Sequence, residues 1–259
     1  VNVWLLFSLV ILVSVGFAVG AILVANRIIP SSIGKEHNSV LSPFLTTVAL
    51  VYGALLGFNV VVAWEQFSSA EVNVANEAST LATMYRQTVA MTAQEQLEIR
   101  VLLRKYTSAV KGPEWRKQEQ NEGAGTSDVA RTAITQMYQV FGRQDPNAGS
   151  SAINGEFLGQ LTVLASERNT RVLDAEPRIP WLLWFGLLFG GVLLVGLTAF
   201  LRLDSTRGHI VLSGAVAMLL GLLLFIIYAL DHPFGAQVGI TPAPFGHSLE
   251  VFDAVDKAT

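Results

Sequence analysis

The sequence predicts an all-α integral membrane protein, with four transmembrane helices and an extramembrane helical bundle inserted between helices two and three. Three observations carry this. Four runs are apolar over the length of a bilayer. Only 14% of the 259 residues are charged, against 51% hydrophobic, where a soluble domain carries about a quarter charged residues. Between the second and third runs, apolar residues recur at helical spacing and strand-like alternation is absent.

The runs are 3–25 (VWLLFSLVILVSVGFAVGAILVA), 43–64 (PFLTTVALVYGALLGFNVVVAW), 179–201 (IPWLLWFGLLFGGVLLVGLTAFL) and 209–230 (HIVLSGAVAMLLGLLLFIIYAL), and none contains Asp, Glu, Lys or Arg. A spanning helix needs about 20 apolar residues. Buried helices of a soluble protein are shorter and keep a polar stripe. The first run has no basic residue before it, and its apolar part exceeds that of a signal peptide. It reads as a retained anchor, although small residues at 18–25 (AVGAILVA) leave cleavage open.

The chain then divides into spans one and two with a short basic loop (1–64), the bundle (65–178), a transmembrane hairpin (179–230) and a proline-containing C-terminal tail (231–259). Residues 26–42 form the first connection and 202–208 (RLDSTRG) a tight turn. No helix breaker follows Trp64, so span two continues out of the membrane, with Phe67, Val74 and Leu81 on one stripe. Further stripes run through Ile99, Leu102, Leu103, Tyr106 and Val110, then Ala130, Ile134, Met137, Tyr138 and Phe141, then Phe157, Leu161 and Leu164 towards Arg168. Breaks are expected at Lys111-Gly112-Pro113, 119–127 and 142–151, with Asp128 and Ser151 as N-caps. Short loops imply an antiparallel bundle of about four helices.

Both short loops are basic, through Arg27 and Lys35 in one and Arg202 and Arg207 in the other. The positive-inside rule then places them in the cytoplasm, with the bundle and both termini outside.

Several stretches together are familiar: Ile29-Pro30 ahead of Glu36-His37-Asn38, VYGALLGFNVVVAWEQFSSAE (51–71), LLRKYTSAV (102–110), RIPWLLW (178–184) and LDHPFGAQVGITPAPF (230–245). From about 27 to 250 the chain resembles a bestrophin-like family of four-span bacterial membrane proteins. The resemblance implies an analogy with bestrophins, which are pentameric anion channels with four spans and a helical domain. It implies a cytosolic bundle, opposite to the loop charges. Bestrophins also carry an acidic calcium clasp near the last span. Here Glu250, Asp253 and Asp256 are spaced as a helix face and do not form a calcium loop, so no binding residue is carried over.

Span two holds the candidate pore-lining or packing residues Tyr52, Gly53, Gly57, Phe58 and Asn59. Gly53-x-x-x-Gly57 permits close helix approach, and an amide such as Asn59 in lipid needs a partner. Two readings stay open: helix packing, or the lining of an oligomeric pore with Phe58, Leu55 or Val62 as a hydrophobic constriction. The glycines of spans three and four read as packing residues. Trp64, Trp181 and Trp184 suit a membrane interface.

At the interface Glu65, Arg178, Asp231 and His232 are the charge candidates, and Pro233 ends span four. An aspartate at a helix C-terminus is opposed by the helix dipole. Asp231 is therefore expected either to hold a salt bridge or backbone amides, with Arg178 the nearest base, or to join His232 and Glu65 in an ionisable ring at a pore mouth.

A net charge of −3 excludes general nucleic-acid binding. The absence of cysteine excludes disulfides and thiolate sites. Phosphate-binding glycine loops and hydrolase motifs are missing, so no enzyme, catalytic residue, cofactor or metal is expected. The expected partners are the lipid bilayer, further copies of the chain in a homo-oligomer, and a possible protein on the bundle. The function expected is a homo-oligomeric ion channel with span two at its centre, the alternative a non-conducting scaffold or accessory subunit.

Overall fold

The computed structural model describes residues 2–28, 36–120, 128–142, 151–203, 205–235 and 237–259, and every regular element among them is helical. In order these are α1 (Val3–Ile28), α2 (Glu36–Gln87), α3 (Ala93–Ala109), α4 (Trp115–Glu119), α5 (Asp128–Gly142), α6 (Ser151–Asp174), α7 (Trp181–Ala199), α8 (Thr206–Asp231) and α9 (Ala243–Ala258). The chain forms two compact units, one of Val1–Gln66 with Arg178–Asp231, the other of Phe67–Pro177 with His232–Thr259.

The first unit contains the spans. Four helices, α1, α2, α7 and α8, are long and apolar enough to cross a membrane. Their inward faces share Ala18, Tyr52, Leu56, Leu187, Leu194, Ala217 and Ile227. The outward faces of α1, α7 and α8 carry large apolar side chains such as Leu9, Leu12, Phe185, Phe189 and Leu219. Hydrocarbon, not water, is the solvent that such a surface fits.

Close packing is set by small residues. A Cβ on Gly221 of α8 would lie 2.7 Å from Ser14 Oγ of α1. His209 is buried in the first turns of α8, and its Nε2 lies 2.9 Å from the Thr198 carbonyl at the end of α7. Donation from Nε2 satisfies one of the carbonyls a helix end leaves open.

Two expectations are corrected here. Pro43 lies inside α2, which already begins at Glu36. A proline costs the helix one backbone bond, here the one to the Ser39 carbonyl, and spanning helices tolerate that loss. Thr46 and Thr47 each donate to a carbonyl one turn back, Ser42 and Pro43, at 2.9 Å. The break expected at Lys111-Gly112-Pro113 is instead a π-turn, Val110–Glu114, that joins α3 to α4 without a loop. The wider turn absorbs the amide that Pro113 lacks. The other expected breaks fall largely on 121–127 and 143–150, outside the described residues, as do the side chains of Asp128 and Ser151.

The second unit has its own core, including Val74, Leu81, Tyr85, Ile99, Leu103, Tyr106, Trp115, Met137, Phe157, Leu161 and Leu164. Thr92 opens α3 with a capping box closed by Glu95. The C-terminal segment also enters this core. Pro233 is buried, and Ile240 donates to its carbonyl at 2.7 Å. A Cβ on Gly239 would meet that same carbonyl oxygen at 2.5 Å. The turn delivers α9, whose Phe245 and Phe252 are fully buried. Phe252 stacks on Tyr85 with 4.0 Å between ring centroids.

Candidate functional site

Helix α2 has 52 residues, with 36–66 in the first unit and 67–87 in the second. Its two faces differ. Tyr52, Leu56, Asn59 and Ala63 are buried, and the same stripe continues through Ala70, Val74, Glu77 and Leu81. Opposite lie Gly53, Gly57, Phe58, Val61 and Glu65, then Ser69, Glu71, Val72, Asn76 and Ser79, all exposed.

The five candidates in span two therefore separate. Tyr52 packs against α7: its hydroxyl donates to the Leu187 carbonyl at 2.7 Å, and its ring leaves only 2.5 Å for a Cβ on Gly190. Asn59 is 4% exposed and donates to the Leu55 carbonyl of its own helix at 2.8 Å. Phe58 is 70% exposed, and nothing lies within 4 Å of a Cβ placed on Gly53 or Gly57. Close approach within this chain is made by Gly190, Gly191 and Gly221, not by the Gly53-x-x-x-Gly57 pair.

Asp231 is buried at the end of α8. Its Oδ1 accepts from the backbone N–H groups of Arg178 and Ile179 at 2.9 and 3.0 Å, and Oδ2 from the Trp184 indole at 3.4 Å. Asp231 ties the end of α8 to the entry of α7 through the Arg178 peptide. Glu65 is exposed, and no ion pair joins it to Asp231 among the described residues. His232 belongs to the second unit and is half-buried.

In the second unit the structure holds a buried polar network that the sequence reading missed. Arg171 of α6 is fully buried and donates from Nε and Nη2 to the two oxygens of Glu77, from Nη2 to Glu114, and from Nη1 to Gln118. Glu114 also pairs with Arg168 at 3.0 Å, and Tyr106 donates to Glu77 at 2.6 Å. Burial alone would lower the Arg171 pKa, but the Glu77, Tyr106 and Glu114 groups outweigh it and raise it, so the guanidinium stays charged. Burial, reinforced by Glu77, pushes the Tyr106 phenol well above its ordinary value and keeps it a neutral donor. The signal lay in the stripes: Arg171 continues Phe157, Leu161 and Leu164 on α6, and Glu77 sits on the buried side of α2.

A second network fastens α9. Asp256 accepts from Arg100, Arg104 and Tyr85 at 2.6–2.9 Å, and Asp253 pairs with Arg104 at 2.8 Å. Both acids are thus engaged with arginines. Among the described residues no group of three or more His, Asp or Glu is placed to hold a metal ion.

No curated protein matches the chain. Among solved structures, a bacterial bestrophin homologue from Klebsiella pneumoniae carrying a single substitution superposes with a TM-score of 0.73 at 14% identity, covering 96% of this chain and 98% of that one. A second substituted form from Klebsiella pneumoniae gives 0.69 at 16% identity, covering 95% and 98%. A structure described only as a membrane protein gives 0.72 at 15% identity, covering 95% and 97%. At such identities the likeness establishes the fold. The family model described as the bestrophin-like domain matches residues 12–245, and the chain is thereby a member of the bestrophin-like family.

Proposed function

We propose that this chain is the subunit of a homo-oligomeric ion channel, with the exposed face of α2 lining the conduction path. One observation carries the reading. The outward faces of α1, α7 and α8 are large and apolar, as lipid requires, whereas on α2 the small Gly53, Ala54 and Gly57 interrupt the exposed Leu50, Val51, Phe58, Val61 and Trp64, and the exposed acid Glu65 follows. A face with small residues at its centre and an acid at its end suits the close approach of copies around a water-filled axis. Phe58 and Val61 would form the apolar constriction, gating by dewetting. Tyr52 and Asn59 would hold the helix from behind. Asp231, anchored by the Arg178 and Ile179 amides, would fix the α7–α8 hairpin around it, with Glu65 contributing charge towards one mouth.

From position 36 to 85 the sequence of α2 contains no Lys or Arg. The exposed acids Glu65 and Glu71 therefore favour cations over anions along this face. The measurement is conductance of the purified protein in planar bilayers, with the reversal potential read in a salt gradient. Absence of current across a range of pH and voltage removes the proposal.

The second reading is a scaffold whose bundle binds a protein. It draws on the exposed Leu97 and Val101 of α3, which with Leu102 and Val140 line a shallow groove between α3 and α5. Copy number separates the two: a closed ring with Phe58 inward supports the channel, a monomer with Phe58 in lipid the scaffold.

Sidedness also belongs to this proposal. The loop charges favour the bundle outside the cytoplasm, and the family analogy favours it inside. Protease digestion of the bundle in intact cells, against inverted vesicles, decides between them.

A further inference from the structure

We infer that the loop end of the first unit is a docking surface for anionic phospholipid headgroups, formed by Arg27, Arg202 and Arg207. The argument starts from Asn38, whose side chain holds the Arg202 peptide from both sides. Its Nδ2 donates to the Arg202 carbonyl at 2.6 Å, and its Oδ1 accepts from the Arg202 N–H at 2.8 Å. Arg202 Nη1 in turn donates to Asn26 Oδ1 at 2.8 Å. Three pieces of chain are thereby fastened: the end of α1, the start of α2 and the α7–α8 connection. An apolar cluster of Ile22, Ala25 and Ala199, with Ala21 and Ile210, packs α1 against the same helices.

This framework gathers cations. Arg27 lies in the last turn of α1 and Arg207 in the first turn of α8. Both are exposed, and neither makes an ion pair among the described residues. The half-buried Arg202 is held in place by the two asparagines, one of them, Asn26, the neighbour of Arg27 in sequence. His37, beside Asn38, adds a ring nitrogen, Nε2, that is shielded from water and has no hydrogen-bond partner among the described residues. In sequence the connections 26–42 and 200–208 hold Arg27, Lys35, Arg202 and Arg207 against the acids Glu36 and Asp204.

The apolar side of the same surface selects the ligand. Val24 and Ile28 flank Arg27 on α1, Leu203 follows Arg202, Val211 lies one turn after Arg207 on α8 and Val40 two residues after Asn38, and all five are exposed. A free phosphate would gain nothing from that rim, whereas a phospholipid would lay its chains along it and its phosphodiester against the guanidinium groups. Arginine suits this task because its planar fork matches phosphate oxygens. Each base held near an anionic membrane surface favours it about fivefold. The inference needs only the membrane-spanning fold and is independent of conduction.

The test is native mass spectrometry of the detergent-purified full chain, offered phosphatidylglycerol and phosphatidylcholine in equal amounts. The wild type is expected to retain phosphatidylglycerol preferentially, with less retained as salt rises. The exposed pair Arg27→Gln/Arg207→Gln should lose retention by about tenfold or more, Arg27→Lys/Arg207→Lys should keep most of it, and Arg116→Gln, on the other unit, should change nothing. If the Gln pair does not survive purification, Arg27→Gln alone and the lipid preference of the wild type decide. Equal retention of both lipids by the wild type, unchanged retention in the Gln variants, or displacement of the lipid by millimolar inorganic phosphate would overturn the assignment.

Discussion

Arg171 grips both oxygens of Glu77, at 2.6 and 3.2 Å, with both side chains fully buried. A buried pair is costly to break and gives little net stability over a well-packed apolar replacement. Glu77→Ala is therefore expected to destabilise the protein by about 3–5 kcal/mol, because it strips Arg171 of its bidentate partner. Replacing the four charges together, as Glu77→Leu, Glu114→Leu, Arg168→Met and Arg171→Met, should cost less than that single change. Thermal unfolding in detergent, followed by tryptophan fluorescence, compares the two. A quadruple variant less stable than Glu77→Ala would show that the network itself is a net source of stability.

Glu167, on the same helix as Arg171, gives a pH dependence of known sign. Its Oε2 is shielded from water without a hydrogen-bond partner among the described residues. Burial raises its pKa, with the Glu77 charge adding to the rise and a hydrogen bond from Thr80 opposing it. The folded state thus favours the protonated form. Its stabilising effect is fully present below the unfolded-state pKa and is lost as pH rises through the raised folded value. Glu167→Gln should leave stability near pH 4 almost unchanged and increase it near neutrality. Melting temperatures across that range check this, and a variant that melts lower at neutral pH contradicts it.

Asp256 has the opposite sign. Burial would raise its pKa, but hydrogen bonds from Arg104 and Tyr85 and the charges of Arg104 and Arg100 prevail and lower it. Its contribution is present above the unfolded-state value and is lost as pH falls through the depressed one. Since the pair is partly exposed, salt screens it. Asp256→Asn should speed amide exchange along α9 while leaving α6 protected, and high salt should reproduce part of that effect in the wild type.

Within the spans, Tyr52 and Phe58 should behave differently. Tyr52→Phe removes the hydroxyl that reaches the Leu187 carbonyl, at an expected cost of about 1 kcal/mol. Gly190→Ala drives a methyl into the Tyr52 ring and should cost about 1–3 kcal/mol. Phe58→Ala, on the open face, should leave the melting temperature nearly unchanged and raise single-channel conductance. Equal stability losses for all three would mean that Phe58 is buried against another copy rather than facing water.

The spans were legible because each is an unbroken apolar run, and length plus absence of charge is a local property. The family was legible from dispersed motifs, and the model match over 12–245 bears it out. Pro113 misled, since a proline in isolation signals a stop, while here a π-turn accommodates it. The role of α9 was hidden by the prolines and glycines that lead into it. The Arg171 network was out of reach for another reason: Glu77, Glu114 and Arg171 are far apart in sequence, and only the fold reveals which charges on apolar stripes meet. On α2 the residue types raised both readings, packing and lining, and burial then set Tyr52 and Asn59 apart from Gly53, Gly57 and Phe58.

The bonds from Arg178 and Ile179 to Asp231 also impose an order on biogenesis. The amides are synthesised first, and their acceptor follows some fifty residues later, about 3–10 s at ribosomal speed. During that interval the nascent α7 lacks this fastening at its entry. A translational pause placed between codons 199 and 231 would prolong the wait and make this stage the one at which the insertion machinery, or a quality-control protease, meets an unsecured hairpin.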